Sequence, residues 1–199
     1  MENIIKDIRM FKKLPYFVFL GGKKYKINVD FRKMISYEKV LEDKAIDKSQ
    51  KIKKGLQLLY PFFCIEENYM WLLNHPEIYK EACEKMVWFY TCGNRVNYHK
   101  SKKGSFSQKN RIYDYEYDDE YIFSAFYEKG IDLTRDRVHW WKFRAIFKSL
   151  TENCMFEKIM KYRAYSGDDE NLLELKEYWT LPLSKSEEER IDKLYETLK

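Results

Sequence analysis

The sequence predicts a mainly α-helical protein with a small N-terminal β-hairpin, an α+β chain whose C-terminal part is a helical bundle, and three observations carry that prediction. A β-prone run from Tyr16 to Leu20 meets Gly21 and Gly22, after which Tyr25, Ile27 and Val29 alternate with Lys24, Lys26 and Asn28. That is a hairpin pattern around a turn that needs positive φ. Beyond Asp30 the apolar residues recur at helical spacing instead of alternating. Residues 113–150 contain an acidic, tyrosine-rich run, YDYEYDDEYIFSAFYEKGIDL, and after a short gap VHWWKFRAIFKSL, both with that helical spacing.

Taken in order, Asp30 is placed to cap a helix in which Met34, Tyr37, Val40 and Leu41 share a face. Further helices are predicted roughly from Lys51 to Phe63 and from Pro76 to Cys92. A hairpin alone is marginal in water, so it has to pack on these helices. Ile122, Ala125, Phe126 and Lys129 then line one helix face, and Phe143, Ile146, Phe147 and Leu150 line another. Gly130 to Leu133 read as a helix stop and short connection, because glycine accepts the left-handed conformation that ends helices. The pair is therefore expected to form a helical hairpin with an aromatic face. Phe156, Ile159, Met160 and Arg163 predict a short helix, and Leu172 to Trp179 predict another before Pro182. Ser186 and Glu189 match a capping box ahead of an apolar stripe of Ile191, Leu194 and Leu198.

At 199 residues, with 45% hydrophobic and 18% aromatic content, the chain can build one core or two small ones. Its apolar stretches fall short of the roughly 18 residues a membrane span requires, and MENIIKDIRMFKK lacks the apolar block of a signal peptide. A cytoplasmic location is the expectation. Cys64, Cys83, Cys92 and Cys154 lack paired short spacings, so they read as reduced, mostly buried thiols. Charge divides the chain. Residues 1–93 hold 17 Lys and Arg against 12 Asp and Glu, residues 94–112 hold 6 against none, and residues 113–199 hold 14 against 20. The middle segment, NRVNYHKSKKGSFSQKNRI, has no apolar period. The organisation expected is a hairpin-plus-helices domain at 1–93, a basic linker or loop at 94–112 and an all-helical domain at 113–199.

Catalytic chemistry needs converging groups, and the sequence offers few. His75, His99 and His139 are far apart and lack metal-ligand spacing. Asp118, Asp119 and Glu120 could in principle hold magnesium, but adjacent helical positions point in different directions, and such a run reads as a solvated acidic face. Phosphate-binding loops, nucleophile elbows and dinucleotide fingerprints do not occur. The expectation is a protein that is not an enzyme and holds no metal or cofactor.

Binding is the better-supported class. Trp140 and Trp141 stand about 100° apart on a helix, so both rings cannot share the centre of one face. Either both wrap the core or one anchors a partner, as tryptophan does in interface hot spots. Tyr121, Phe126, His139, Trp140, Trp141 and Phe143 are the candidate partner-binding residues. Lys100, Lys102, Lys103 and Lys109, interleaved with Tyr98, His99 and Phe106, are candidates for polyanion binding. The same composition is that of a solvated tether, and the acidic second part repels nucleic acid. Opposite charge in the two halves also favours self-association.

The order acidic-aromatic helix, then Gly130-Ile131-Asp132-Leu133, then His139-Trp140-Trp141-Lys142-Phe143, then FEKIMKYRAY at 156–165, is similar to a bacteriophage family of Gram-positive hosts. Its members are encoded in siphophage tail gene clusters between the major tail protein and the tape-measure protein. Asn28 to Arg32 sit where that family shows a similar Asp-Phe-Arg, so the resemblance covers most of the chain. It implies a tail assembly chaperone of the host cytoplasm that coats the tape-measure polypeptide and recruits major tail protein subunits. The alternatives are a structural virion component and a nucleic-acid-binding protein acting through the basic linker.

Overall fold

Two glycines in succession set the first element of the protein. In the computed structural model, which describes residues 13–93, 111–150, 153–183, 192 and 196, Gly21 and Gly22 have φ of 53° and 75°. Positive φ at both central residues belongs to the type I′ turn, whose twist matches that of the flanking strands. The turn joins β1 (Phe17–Leu20) to antiparallel β2 (Lys23–Lys26) in the register Phe17↔Lys26 to Leu20↔Lys23. Val18 and Leu20 face the core, while Phe17 and Phe19 face out. The alternation expected to Val29 stops being a strand at Lys26, because Asn28 donates its N–H to Leu59 O at 2.7 Å and leaves the ladder.

Four helices follow, three of them with a readable start. Asp30 Oδ1 accepts the backbone N–H of Arg32 at 3.0 Å and opens α1 (Phe31–Glu42), which buries Phe31, Met34 and Tyr37. Asp47 Oδ1 accepts from the N–H groups of Ser49 and Gln50 and opens α2 (Lys48–Leu59). The helix expected to reach Phe63 is divided at Pro61: Tyr60, the residue before it, is extended, and a 3-10 turn covers Pro61–Cys64. A short helix that the sequence pattern did not indicate, α3 (Glu66–Leu73), comes next. Pro76 occupies the first turn of α4 (Pro76–Tyr90), where its missing N–H costs nothing. That helix ends in a Schellman motif, with Gly93 N–H on Trp88 O at 2.7 Å and Cys92 N–H on Phe89 O at 3.0 Å.

The remaining described helices are α5 (Asp119–Tyr127), α6 (Trp140–Lys148), α7 (Met155–Ala164) and α8 (Glu170–Tyr178). Gly130, at φ 75°, ends α5 as expected: Ile131 N–H reaches Phe126 O at 3.1 Å and Gly130 N–H reaches Tyr127 O at 2.8 Å. The expected helical hairpin of α5 with α6 does not form, because α5 packs chiefly on α7, which in turn packs on α8. The capping box at Ser186 and Glu189, with the stripe of Ile191, Leu194 and Leu198, lies outside the described residues.

The described residues fall into two compact units. The first comprises 13–42, 46–93 and 138–143; the second comprises 43–45, 111–137, 144–150 and 153–183 together with residues 192 and 196. In the first unit α1 packs on α2, α2 on α4 and β1 on α4. Tyr60, fully buried, donates its hydroxyl to Ala82 O at 3.0 Å. The α2 contact is closest at Gly55, where a Cβ would lie 2.6 Å from the Tyr37 ring and 2.7 Å from Met86 Sδ.

The second unit is organised around a buried ion pair. Arg163 donates from Nη1 to Asp118 Oδ2 at 2.6 Å and from Nη2 to Asp118 Oδ1 at 2.9 Å, with both side chains out of solvent. Backbone groups add to the pair: Arg163 Nε donates to Trp179 O at 2.6 Å, Nη1 also to Ile112 O at 3.2 Å, and Asp114 N–H donates to Asp118 Oδ2 at 2.9 Å. Asp118 is thus no part of a solvated acidic face, unlike Asp119 and Glu120, which are exposed.

Two stability measurements check this packing. Gly55→Ala should lower the unfolding free energy in a urea titration by about 1–3 kcal/mol from overpacking, even though alanine improves helix propensity by up to ~1 kcal/mol. Arg163→Met should cost about 3–5 kcal/mol by stranding a buried carboxylate, and adding Asp118→Leu should recover much of that loss.

Candidate functional site

The His-Trp-Trp block starts with a main-chain exchange. Phe31 N–H donates to Val138 O at 3.1 Å and Trp140 N–H donates to Val29 O at 2.7 Å, an antiparallel bridge that pairs Asp30 with His139. His139 then acts as the cap of α6. Its Nδ1 accepts the backbone N–H of Trp141 at 3.0 Å, so its Nε2 carries the proton and donates to Pro15 O at 3.0 Å. Both ring nitrogens are committed and the ring is buried.

Trp140 is fully buried and donates Nε1–H to Tyr90 O at 2.9 Å. Its ring belongs to a near-parallel column: Tyr90 to Trp140 at 6.0 Å, Trp140 to Phe143 at 5.9 Å, Phe143 to Phe31 at 4.6 Å, capped by the Arg32 guanidinium 4.6 Å from the Phe31 ring. Trp141 is half-buried, donates Nε1–H to Phe89 O at 2.9 Å and meets Trp88 edge to face at 5.2 Å. The two tryptophans thus both dock on the end of α4, one inside the core and one flanking it.

The other candidates are dispersed. Phe126 and Phe143 are fully buried, so neither is a surface anchor. Tyr121, half-buried, packs edge to face on Trp179 at 5.7 Å. Lys100, Lys102, Lys103 and Lys109, with His99, lie outside the described residues. His75 Nδ1–H donates to Trp71 O at 2.7 Å. Of the four free cysteines, Cys92 and Cys154 are buried and Cys83 half-buried, whereas Cys64 is exposed, contrary to the reading of mostly buried thiols only in that last case. Among the described residues no group of His, Cys, Asp and Glu is placed to hold a metal, and no helix is long and apolar enough to cross a membrane.

What the sequence reading missed is the open apolar surface of the first unit. The register places Phe17, Phe19, Lys24 and Lys26 together on the outer hairpin face. Phe17 and Phe19 are 46% and 59% exposed, and Lys24 Nζ sits 4.2 Å from the Phe17 ring centre. Ile65, Met70 and Leu73 are also exposed, the last two sharing one face of α3. Every position from Phe17 to Leu20 is apolar, so the sequence of β1 could not say which face was core.

Comparison with known proteins gives one family. Residues 10–181 match the family described as Bacteriophage Gp15 protein, and the chain belongs to that family. It is therefore a bacteriophage protein. No curated protein and no solved structure matches it.

The cap predicts a pH dependence. Burial pushes the His139 imidazole below its ordinary value of 6.5, an effect the Lys142 charge reinforces and the bond to Pro15 opposes. A depressed folded value means that the unfolded chain binds the proton more readily, so this stability is complete above the ordinary value and is lost as pH falls below it. The thermal midpoint should drop from about pH 7 to about pH 5, and His139→Gln should flatten that drop while lowering the midpoint at neutral pH. Equal slopes in the two proteins would contradict the capping role.

Proposed function

We propose that this phage protein is a non-enzymatic tail assembly chaperone, or a closely related morphogenesis factor, of a siphophage with a Gram-positive host. Its partners are the tape-measure protein and the major tail protein, met in the host cytoplasm. The observation that carries the reading is the open apolar surface of the first unit: Phe17 and Phe19 on the hairpin, Ile65 just before α3, and Met70 and Leu73 on it. A chaperone of long amphipathic helices needs such a surface, because burying an apolar helix face requires apolar groups opposite it. Lysines beside the aromatic rings keep the free surface hydrated between encounters.

Two of the side chains that an enzyme reading would have used, His139 and Asp118, are spent on structure. Both nitrogens of His139 are hydrogen-bonded to backbone, and Asp118 is held by Arg163 in a buried pair. The tail-cluster role follows from the residue order that resembles that phage family, and membership of the phage family is consistent with it.

Co-expression with the tape-measure protein encoded beside it, followed by size-exclusion chromatography with light scattering, is the test. The expected result is a complex in which several copies keep the tape-measure protein in solution, and a Phe17→Ser/Phe19→Ser variant, folded because both rings are exposed, should recover much less of it. Elution of this chain alone while the tape-measure protein aggregates would overturn the reading.

A further inference from the structure

We propose that the outer hairpin face docks on the acidic tyrosine turn of a second copy of this chain, so that copies associate head to tail. This goes beyond the chaperone reading and does not depend on it. One surface is the block of Phe17, Phe19, Lys24 and Lys26. It is held in shape, because Gly21 N–H donates to Glu81 Oε2 at 2.8 Å and pins the turn to α4.

The other surface has the complementary chemistry. Glu116, Tyr117, Asp119 and Glu120 are exposed, Tyr117 by 54%. They too are presented on a fixed backbone. Asp114 Oδ1 accepts the N–H groups of Glu116 and Tyr117 at 2.7 and 3.0 Å, and the chain on either side is anchored by Asp118 in its buried pair with Arg163. Two preordered surfaces lose little conformational entropy when they meet. Carboxylates opposite Lys24 and Lys26, with the Tyr117 ring against Phe17 or Phe19, satisfy both the charge and the aromatic character of each side.

A face that carries lysines repels its own copy, so a symmetric hairpin-to-hairpin pairing is disfavoured and the contact is heterologous. Heterologous contacts close into rings or run on as open chains. The contact rests partly on exposed charge pairs, so salt screens it.

Sedimentation velocity of the full chain over a range of concentrations, at low and at high salt, reads the association directly. The expected result is a mass that grows with concentration at low salt and returns toward the monomer at high salt. Lys24→Glu/Lys26→Glu and Glu116→Lys/Asp119→Lys should each weaken association by about tenfold or more. Mixing the two variants should restore it, since the reversed charges then meet opposite ones. Phe19→Ser, which leaves all charges in place, should weaken association as well. A chain that stays monomeric at every concentration overturns the proposal, as do charge-reversed variants that associate like the native chain or a mixture that fails to recover. Association abolished by single-stranded oligonucleotide, with Phe17 and Phe19 protected by it, would also overturn it, because the face would then be a nucleic-acid platform.

Discussion

The capture of residues 138–143 by the segments that flank the N-terminal hairpin and by α4 is the constraint on which the first unit depends. Val138 and Trp140 exchange main-chain hydrogen bonds with Phe31 and Val29, His139 reaches Pro15 across 124 residues of sequence, and the two indoles donate to the carbonyls of Tyr90 and Phe89. Without this segment Val29 O and the Tyr90 and Phe89 carbonyls lose these donors, and the column from Tyr90 to Phe31 loses its two middle rings. Such non-local closure delays folding, because the intervening chain must be ordered before the contacts reward it.

This explains which parts of the structure were legible. The hairpin turn, the cap at Asp30 and the stop at Gly130 all depend on residues within a few positions of one another, and each was readable from side-chain type alone. The partnership of Asp30 with His139 depends on backbone pairing between distant segments, which leaves no local pattern. The residues themselves stood out, as an unusual run of His, Trp and Trp, but their aromatic character spoke equally for a core and for a partner surface. Asp118 was misread for a similar reason. An acidic run suggests solvent, and only Arg163, 45 residues later on α7, turns one carboxylate inward. The break at Pro61 was passed over because the apolar residues on both sides of it continue the helical pattern, and α3 was missed with it.

For function the consequence is a change of address. The aromatic residues expected to meet a partner, Phe126, Trp140 and Phe143, serve the core, whereas Phe17 and Phe19 on the small N-terminal hairpin are among the aromatic residues left open. A two-stranded hairpin can carry them because it does not stand alone: Val18 and Leu20 bury its inner face and Glu81 pins its turn. The hairpin presents a basic-aromatic outer face, and His139, Trp140 and Trp141 are engaged in fastening residues 138–143 to Pro15 and to the end of α4.

Residues 138–143 belong to the folded core of the first unit. Amide hydrogen exchange of the full chain, read by mass spectrometry, is the measurement that checks it. If they do, the amides of Trp140 and Trp141 exchange in the same slow class as those of Phe31, Met34 and the end of α4, because all of them open only when the unit unfolds. Exchange of 138–143 at the rate of an exposed segment, with α1 and α4 still protected, would contradict it.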